Sequence, residues 1–193
     1  SGFTHLSKAW EGNHTARFSP DFTSYIDTAS NISTPPQIHL YSNEGTLIRT
    51  IEENKVAALS EFNLSKPEFL RVATRDGFMM DAMMIKPANF DPNKKYPVMS
   101  YNYSGPAAPS VRNSWTGINY VWHQMLAQKG YIIWICDNRS ASNQGMKSTY
   151  PIFRNLAELE LRDLEDGITW LKQQSYVDAN RIGLWGWSYG GFF

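Results

Sequence analysis

The strongest restriction on the fold comes from the stretch Arg181 to Gly191, in which an apolar segment runs into the pattern Gly-x-Ser-x-Gly. This pattern is typical of a sharp strand-to-helix turn that exposes a serine hydroxyl at the carboxyl end of a sheet. Gly186 and Gly190 occupy positions where neighbouring backbone comes too close for a side chain, and the strained torsion at the serine needs that clearance. Ser188 is therefore the candidate nucleophile, with an ordinary glycine turn as the alternative.

Apolar strands alternate with amphipathic helices upstream of this turn. The sequence predicts a hairpin formed by residues 68–74 and 79–86, strands at 96–103 and 131–136, and helices at 116–129 and about 159–174. The first helix is expected to bury Ile118, Val121, Trp122, Met125 and Leu126, and the second to bury Leu161, Leu164, Ile168 and Leu171. Continuous apolar strands that alternate with helices indicate a parallel sheet of the α/β class in residues 59–193.

Three segments are expected to meet where the parallel strands end, because ligands of such sheets bind at the carboxyl ends of the strands. They are the residues 103–105, the residues 137–139 and Ser188. Asp137 and Arg139 are predicted to form an architectural ion pair. The acidic residues 158–166 are predicted to form a solvated face of the second helix.

Residues 1–58 carry a different pattern of short β-type runs at 15–19, 24–28 and 37–41. Turn signals separate them at Pro20-Asp21 and at residues 31–36. We expect antiparallel strands that are too few to close a core by themselves. The sequence thus predicts two domains, a β-rich piece at 1–58 and an α/β domain at 59–193.

Composition excludes several functional classes. With 42% hydrophobic and 14% aromatic residues the chain is globular, and its 18 basic and 18 acidic residues give no argument for nucleic acid or an anionic membrane. We expect no membrane span and no signal peptide in the opening residues Ser1 to Leu6. No cofactor is expected, because the sequence has neither a Cys/His metal cluster nor a glycine-rich phosphate loop. Cys136 is expected to be a buried, inert thiol.

The string Gly-Trp-Ser-Tyr-Gly-Gly at 186–191 resembles the nucleophile elbow of the prolyl oligopeptidase clan, and most closely that of the dipeptidyl peptidase IV family of serine peptidases. The segments 103–106 (Tyr-Ser-Gly-Pro) and 94–97 (Lys-Lys-Tyr-Pro) also match, so the resemblance covers nearly the whole chain. It implies the N-terminal half of an α/β-hydrolase domain. The segments 18–21 and 35–40 resemble the last blade of the β-propeller that precedes this domain in the family. An unrelated small sheet is the alternative for residues 1–58.

The resemblance implies a serine-type peptidase that cleaves peptide substrates after proline or alanine near their amino terminus. It assigns the oxyanion donors to the Tyr103 hydroxyl and the Tyr189 backbone N–H, places the Tyr189 ring in the substrate pocket, and makes Gly191 part of the elbow. A half-buried tyrosine at a strand end is the alternative for Tyr103. Residues 137–145 align with a loop that the family spells Asp-x-Arg-Gly, and Ser140 and Ala141 stand where glycine is expected.

A base and a carboxylate are still needed, and in this fold they follow the serine in the order Asp, then His. The chain ends at Phe193, and its four histidines lie upstream, where structural roles are expected for His5, His14, His39 and His123. We therefore expect a fragment that lacks the triad Asp and His and has little or no turnover by itself. Alternatives are an esterase, an acylaminoacyl peptidase and a truncated, non-catalytic interaction module. The resemblance adds that relatives are commonly exported or periplasmic in bacteria and often homodimeric.

Overall fold

A computed structural model describes residue 6 and residues 10–192. The signal-peptide expectation depends on residues 1–6, of which all but Leu6 lie outside the described residues. The expectation for His5 lies outside them too. The contacts divide the chain into two units, residues 1–63 with 113–121 and residues 64–112 with 122–193.

The first unit is built on a four-stranded antiparallel sheet in the order β1-β2-β3-β4. The strands are β1 (Asn13–Phe18), β2 (Ser24–Asn31), β3 (Thr34–Ser42) and β4 (Leu47–Glu52). The predicted runs at 15–19, 24–28 and 37–41 fall within the first three. Every residue of β4 is exposed, including Leu47, Ile48 and Ile51. The sheet therefore leaves much apolar surface uncovered within this unit.

The turn predicted at residues 31–36 is shorter than expected. Asn31 pairs with Thr34 across β2 and β3, so the connection consists of Ile32 and Ser33, and the Asn31 side chain accepts a hydrogen bond from the Ser33 N–H at 3.0 Å. Pro35 and Pro36 belong to β3 itself. They precede Ile38, where pairing with β4 begins, and a proline is tolerated where the ladder needs fewer N–H donors.

The second unit contains a five-stranded mixed sheet in the order β5-β6-β8-β7-β9. Its strands are β5 (Glu68–Ala73), β6 (Met79–Ile85), β7 (Tyr96–Tyr101), β8 (Ile132–Cys136) and β9 (Val177–Trp185). β5 and β6 form the predicted hairpin, and β6 runs antiparallel to β8. β7 pairs in parallel with both β8 and β9, which confirms the parallel arrangement predicted for these strands. Sheets and helices together form an α/β fold.

The helix α1 (Ile118–Gln128) buries a different face from the predicted one. Ile118, Val121 and Trp122 are exposed, whereas Leu126 is buried as predicted. The other buried positions are Tyr120, His123, Gln124 and Ala127. Polar residues can occupy a buried face when tertiary partners satisfy them. Gln124 meets this condition, because its amide accepts from the Ser65 N–H and donates to the Ser65 carbonyl, both at 2.8 Å. The helix ends as predicted, with Gly130 at φ +90°.

A short helix α2 (Met146–Thr149) precedes the longer α3 (Glu158–Lys172), and α4 (Tyr189–Phe192) follows β9. α3 corrects two expectations. Leu161 is exposed and only Leu171 of the predicted leucines is fully buried, and Glu160 and Asp163 are both 0% exposed and do not form a solvated face. The buried face is therefore Glu160, Asp163, Gly167 and Leu171.

The core of this unit lies around β8, whose five residues are all buried. Trp134 stacks on Trp170 of α3 with ring centroids 5.2 Å apart. The predicted burial of Cys136 is confirmed, and burial raises the pKa of its thiol far above the ordinary value. Across the described part of the chain, no helix has the length and apolar character to cross a membrane.

Candidate active site

Three loops lie at one edge of the second sheet because β8, β7 and β9 are parallel neighbours. β7 ends at Tyr101, β8 at Cys136 and β9 at Trp185. The residues that follow these strands include 103–105, 137–139 and Ser188, which the sequence predicts to meet. The Asn102 N–H donates to the Trp185 carbonyl at 3.2 Å, which ties the loop after β7 to the end of β9.

The turn after β9 holds Ser188 in a left-handed conformation, with φ +55°. This region is costly for a residue with a side chain, and such strain is frequently stored at functional sites. Two backbone hydrogen bonds close the turn: the Gly190 N–H donates to the Trp187 carbonyl at 2.9 Å, and the Gly191 N–H to the Ser188 carbonyl at 3.0 Å. Ser188 is exposed at the start of α4. The serine is therefore accessible to solvent.

Close backbone contact explains the glycines on either side of this serine. A Cβ at Gly190 would overlap the Asn102 carbonyl oxygen and come within 3.0 Å of the Tyr103 Cα. A Cβ at Gly186 would lie 2.7 Å from the same Asn102 oxygen and would overlap the Gly190 carbonyl. A Cβ at Gly191 would meet the Gly186 oxygen at 3.4 Å, which is close to ordinary contact. The elbow is thus packed directly against the backbone of residues 102–103.

Tyr103 follows β7 in a loop that bends sharply. Ser104 has φ +62°, and a Cβ at Gly105 would lie 2.6 Å from the Tyr103 Cε1 atom. The aromatic ring therefore lies over Gly105, which accounts for the glycine two residues after the tyrosine. Tyr103 itself is half-buried, beside the elbow.

The Tyr103 loop is fastened to the loop after β8 by Asp137 and Asn138. The Asp137 carboxylate accepts from the backbone N–H groups of Ser110 at 2.9 Å and Val111 at 2.8 Å. The Asn138 side chain donates to the Ser104 carbonyl at 3.0 Å. Burial raises the pKa of Asp137 to about 6, although the two N–H donors favour the charged form. These bonds hold the two loops together as one layer.

The predicted ion pair between Asp137 and Arg139 does not form, because the two side chains have different partners. The Arg139 guanidinium donates to Asp163 from Nε at 2.9 Å and from Nη2 at 2.7 Å, and Nη2 also donates to Asp76 at 2.8 Å. The hydrogen bonds from Arg139 and Thr74 hold the pKa of Asp76 well below its ordinary value. Arg139 therefore anchors its loop to α3. At Ser140 and Ala141, where the family has glycine, the backbone does not enter the left-handed region.

Comparison with known proteins identifies the family of the chain. The profile of the Prolyl oligopeptidase family matches residues 119–193. The chain is 32% identical to dipeptidyl peptidase 4 of Trichophyton equinum over 93% of its length, and 29% identical to dipeptidyl peptidase 8 of Mus musculus over 87%. The crystal structure of Porphyromonas gingivalis dipeptidyl peptidase 4 matches with a TM-score of 0.88 at 33% identity, over 94% of the chain.

The chain belongs to the dipeptidyl peptidase IV family of the prolyl oligopeptidase clan. It spans only part of such proteins, with 24% of the Trichophyton relative, 20% of the mouse relative and 26% of the Porphyromonas structure covered. The crystal structure of a putative dipeptidyl aminopeptidase IV from Bacteroides ovatus matches over 94% of the chain, with a TM-score of 0.86 at 34% identity.

In this member of the dipeptidyl peptidase IV family, the tyrosine after the serine has a buried partner that the sequence did not reveal. The Tyr189 hydroxyl donates to Glu160 Oε1 at 3.0 Å. Burial and this hydrogen bond raise the pKa of Tyr189 to about 12, so the phenol is neutral near pH 7. Glu160 and Asp163 were missed because acidic residues are ordinarily solvated. The sequence did carry one sign of their burial, because Glu160 and Asp163 lie on the same helical face as Gly167 and Leu171.

The described histidines have contacts of their own. His14 Nδ1 lies 2.6 Å from Asp27 Oδ2, and His39 Nδ1 lies 3.2 Å from the Thr50 hydroxyl. His123 packs against the Tyr101 ring, and burial lowers its pKa to about 4, so the imidazole is neutral near pH 7. No group of three or more His, Cys, Asp or Glu side chains within residues 6 and 10–192 is arranged to hold a metal ion.

Proposed function

We propose that the whole protein is a serine-type peptidase that forms an acyl-enzyme on Ser188. Its substrates are peptides with proline or alanine near the amino terminus, cleaved after that residue. The observation that carries the proposal is an exposed serine at positive φ, at the carboxyl edge of parallel strands and packed against residues 102–103. Relatives named dipeptidyl peptidase support the substrate class.

The proposed reaction begins when the Ser188 Oγ attacks the scissile carbonyl carbon and loses its proton to a base. The carbonyl oxygen becomes an oxyanion, which accepts hydrogen bonds from the Tyr103 hydroxyl and the Tyr189 N–H. The C–N bond then breaks, and the leaving amine takes the proton from the base. Water attacks the acyl-serine by the same route and releases the second product.

The base and its orienting carboxylate come, in this proposal, from a part of the protein beyond these 193 residues. Each described histidine is engaged elsewhere, and the chain covers about a quarter of its relatives. The isolated chain should therefore have little or no turnover. Acidic residues of the propeller, also outside this chain, would bind the free amino terminus of the substrate.

The proposal includes a domain organisation. Residues 1–58 would be the last blade of a β-propeller, which the four-stranded antiparallel sheet supports. Residues 59–193 would be the N-terminal half of an α/β-hydrolase domain, supported by the parallel strands β7, β8 and β9 and by the turn at Ser188.

Labelling of the full-length protein with a phosphonofluoridate tests the nucleophile. We expect one label at Ser188 and none in Ser188→Ala, while Ser175→Ala, which removes an exposed serine after α3, labels as the wild type does. A label on another residue would refute the assignment.

Substrate panels test the specificity and the role of Tyr103. We expect dipeptidyl p-nitroanilides with proline or alanine in the second position to be cleaved faster than acetyl-alanine p-nitroanilide or p-nitrophenyl esters. Faster cleavage of the latter two would indicate an acylaminoacyl peptidase or an esterase, and no cleavage at all an interaction module. Tyr103→Phe should lower kcat by about 10²–10³-fold with little change in KM, because its hydroxyl acts in the transition state.

A further inference from the structure

A buried carboxylate lies behind the residue that follows the nucleophile. Glu160 on α3 is 0% exposed, and its Oε1 accepts the hydrogen bond from the Tyr189 hydroxyl. Its Oε2 has no hydrogen-bond partner among the described residues. A buried carboxylate with one oxygen unpaired is a poor contributor to stability. Its position next to the elbow suggests that it serves the site.

The Tyr189 hydroxyl is held by the first turn of α3. It donates to Oε1 of Glu160, the third residue of that helix. The hydrogen bond therefore fixes the direction of the phenol ring relative to the start of α3.

The elbow helix has little means of fixing its own geometry. α4 comprises only residues 189–192, and a single turn of helix is not stable without tertiary contacts. The bond from Tyr189 to Glu160 attaches this turn to the 15-residue helix α3. The same helix holds the loop after β8, because Asp163 binds Arg139 three residues further along.

We propose that Glu160 is a positioning residue, which acts through the Tyr189 hydroxyl to fix the direction of the Tyr189 backbone N–H and ring at the substrate. The inference rests on the proposed function, in which that N–H binds the oxyanion. Loss of the tether misplaces a donor that acts in the transition state, so it lowers kcat more than it raises KM.

Three variants of the full-length protein separate positioning from stability. Glu160→Gln keeps an acceptor for the phenol but places an amide where Oε2 was, and Tyr189→Phe removes one oxygen and keeps the ring. The double variant Glu160→Leu with Tyr189→Phe replaces both partners by apolar groups, which restores stability when the only loss is a buried polar pair. Glu158→Gln is the matched control, because Glu158 lies exposed on the same helix.

The readouts are kcat and KM on a dipeptidyl p-nitroanilide, the rate of phosphonofluoridate labelling at Ser188, and the apparent Tm. We expect Tyr189→Phe and the double variant to lower kcat and the labelling rate about 10–100-fold, Glu160→Gln to lower them less, and Glu158→Gln to leave them unchanged. The double variant should stay slow even where its Tm returns to the wild-type value.

Two results would overturn the inference in different ways. If wild type labels at Ser188 but the double variant, once its Tm is restored, also regains the wild-type kcat, Glu160 is merely structural and the proposed function stands. If wild type itself is not labelled at Ser188, the proposed function fails and the inference fails with it.

Discussion

Two neighbouring glycines in the elbow have very different surroundings. A Cβ at Gly190 would overlap the Asn102 carbonyl, whereas a Cβ at Gly191 would meet its nearest neighbour at 3.4 Å. Because the obstacle at Gly190 is main chain, it cannot move aside without displacing the end of β7. We expect Gly190→Ala to destabilise the full-length protein by about 3 kcal/mol or more.

Gly191→Ala is the matched control and should cost under about 1 kcal/mol. Apparent Tm values and phosphonofluoridate labelling of both variants measure the difference. Equal losses at the two positions would mean that the contact with Asn102 does not constrain the elbow.

For single residues, the sequence was informative at positions where only one residue type meets the chemical or geometric requirement. The pattern Gly-x-Ser-x-Gly led to Ser188 and to the glycines that its backbone needs. Partners contributed by distant segments could not be predicted, because neither spacing nor composition places Asp163 beside Arg139 or Glu160 beside Tyr189. Burial of these carboxylates is decided by tertiary contacts that a single sequence does not display.

Gln124 is the side chain that attaches α1 to the segment before β5. Its amide makes two hydrogen bonds of 2.8 Å to the Ser65 main chain, and the residue is 2% exposed. Gln124→Ala leaves the Ser65 N–H and carbonyl without these partners, so we expect a loss of roughly 2–4 kcal/mol. Hydrogen exchange of the peptide containing Ser65 should become faster in the full-length variant.

Gln128→Ala provides the control on the same helix, because Gln128 is exposed. Its exchange pattern around Ser65 should match that of wild type. Unchanged protection of Ser65 in Gln124→Ala would show that other contacts hold this segment in place.

The elements themselves were easier to predict than their faces. The apolar runs and glycine stops were sufficient to place β8 and the end of α1. The prediction of the buried face of α1 was wrong because two of its buried residues, His123 and Gln124, are polar. Three of its exposed residues are apolar, namely Ile118, Val121 and Trp122. Periodicity assumes that apolar residues face inward, and it fails when a buried polar side chain has well-placed partners.

Stability of the whole molecule should depend on pH through two buried groups with opposite effects. The pKa of Asp137 is raised by burial from 3.8 to about 6, so its contribution to the free energy of unfolding falls as pH rises through that window. The pKa of His123 is lowered by burial from 6.5 to about 4, so its contribution grows as pH rises. Each effect amounts to on the order of 3 kcal/mol, and they largely cancel.

Removal of one group should reveal the other. In Asp137→Asn, we expect the apparent Tm of the full-length protein to rise more steeply between pH 4 and about 6 than in wild type. In His123→Leu the same curve should fall. Slopes are compared because both variants also lose contacts. Curves parallel to that of wild type would indicate that neither group titrates in this range.

The contact between Gly190 and the Asn102 carbonyl joins segments that are far apart in the sequence. The serine and the tyrosine that we propose to act on one oxygen are separated by a single layer of touching main chain. Directed evolution of this protein cannot therefore change the two loops independently. Libraries that vary the elbow would have to vary residues 102–105 in the same clones, because the two main chains are in direct contact.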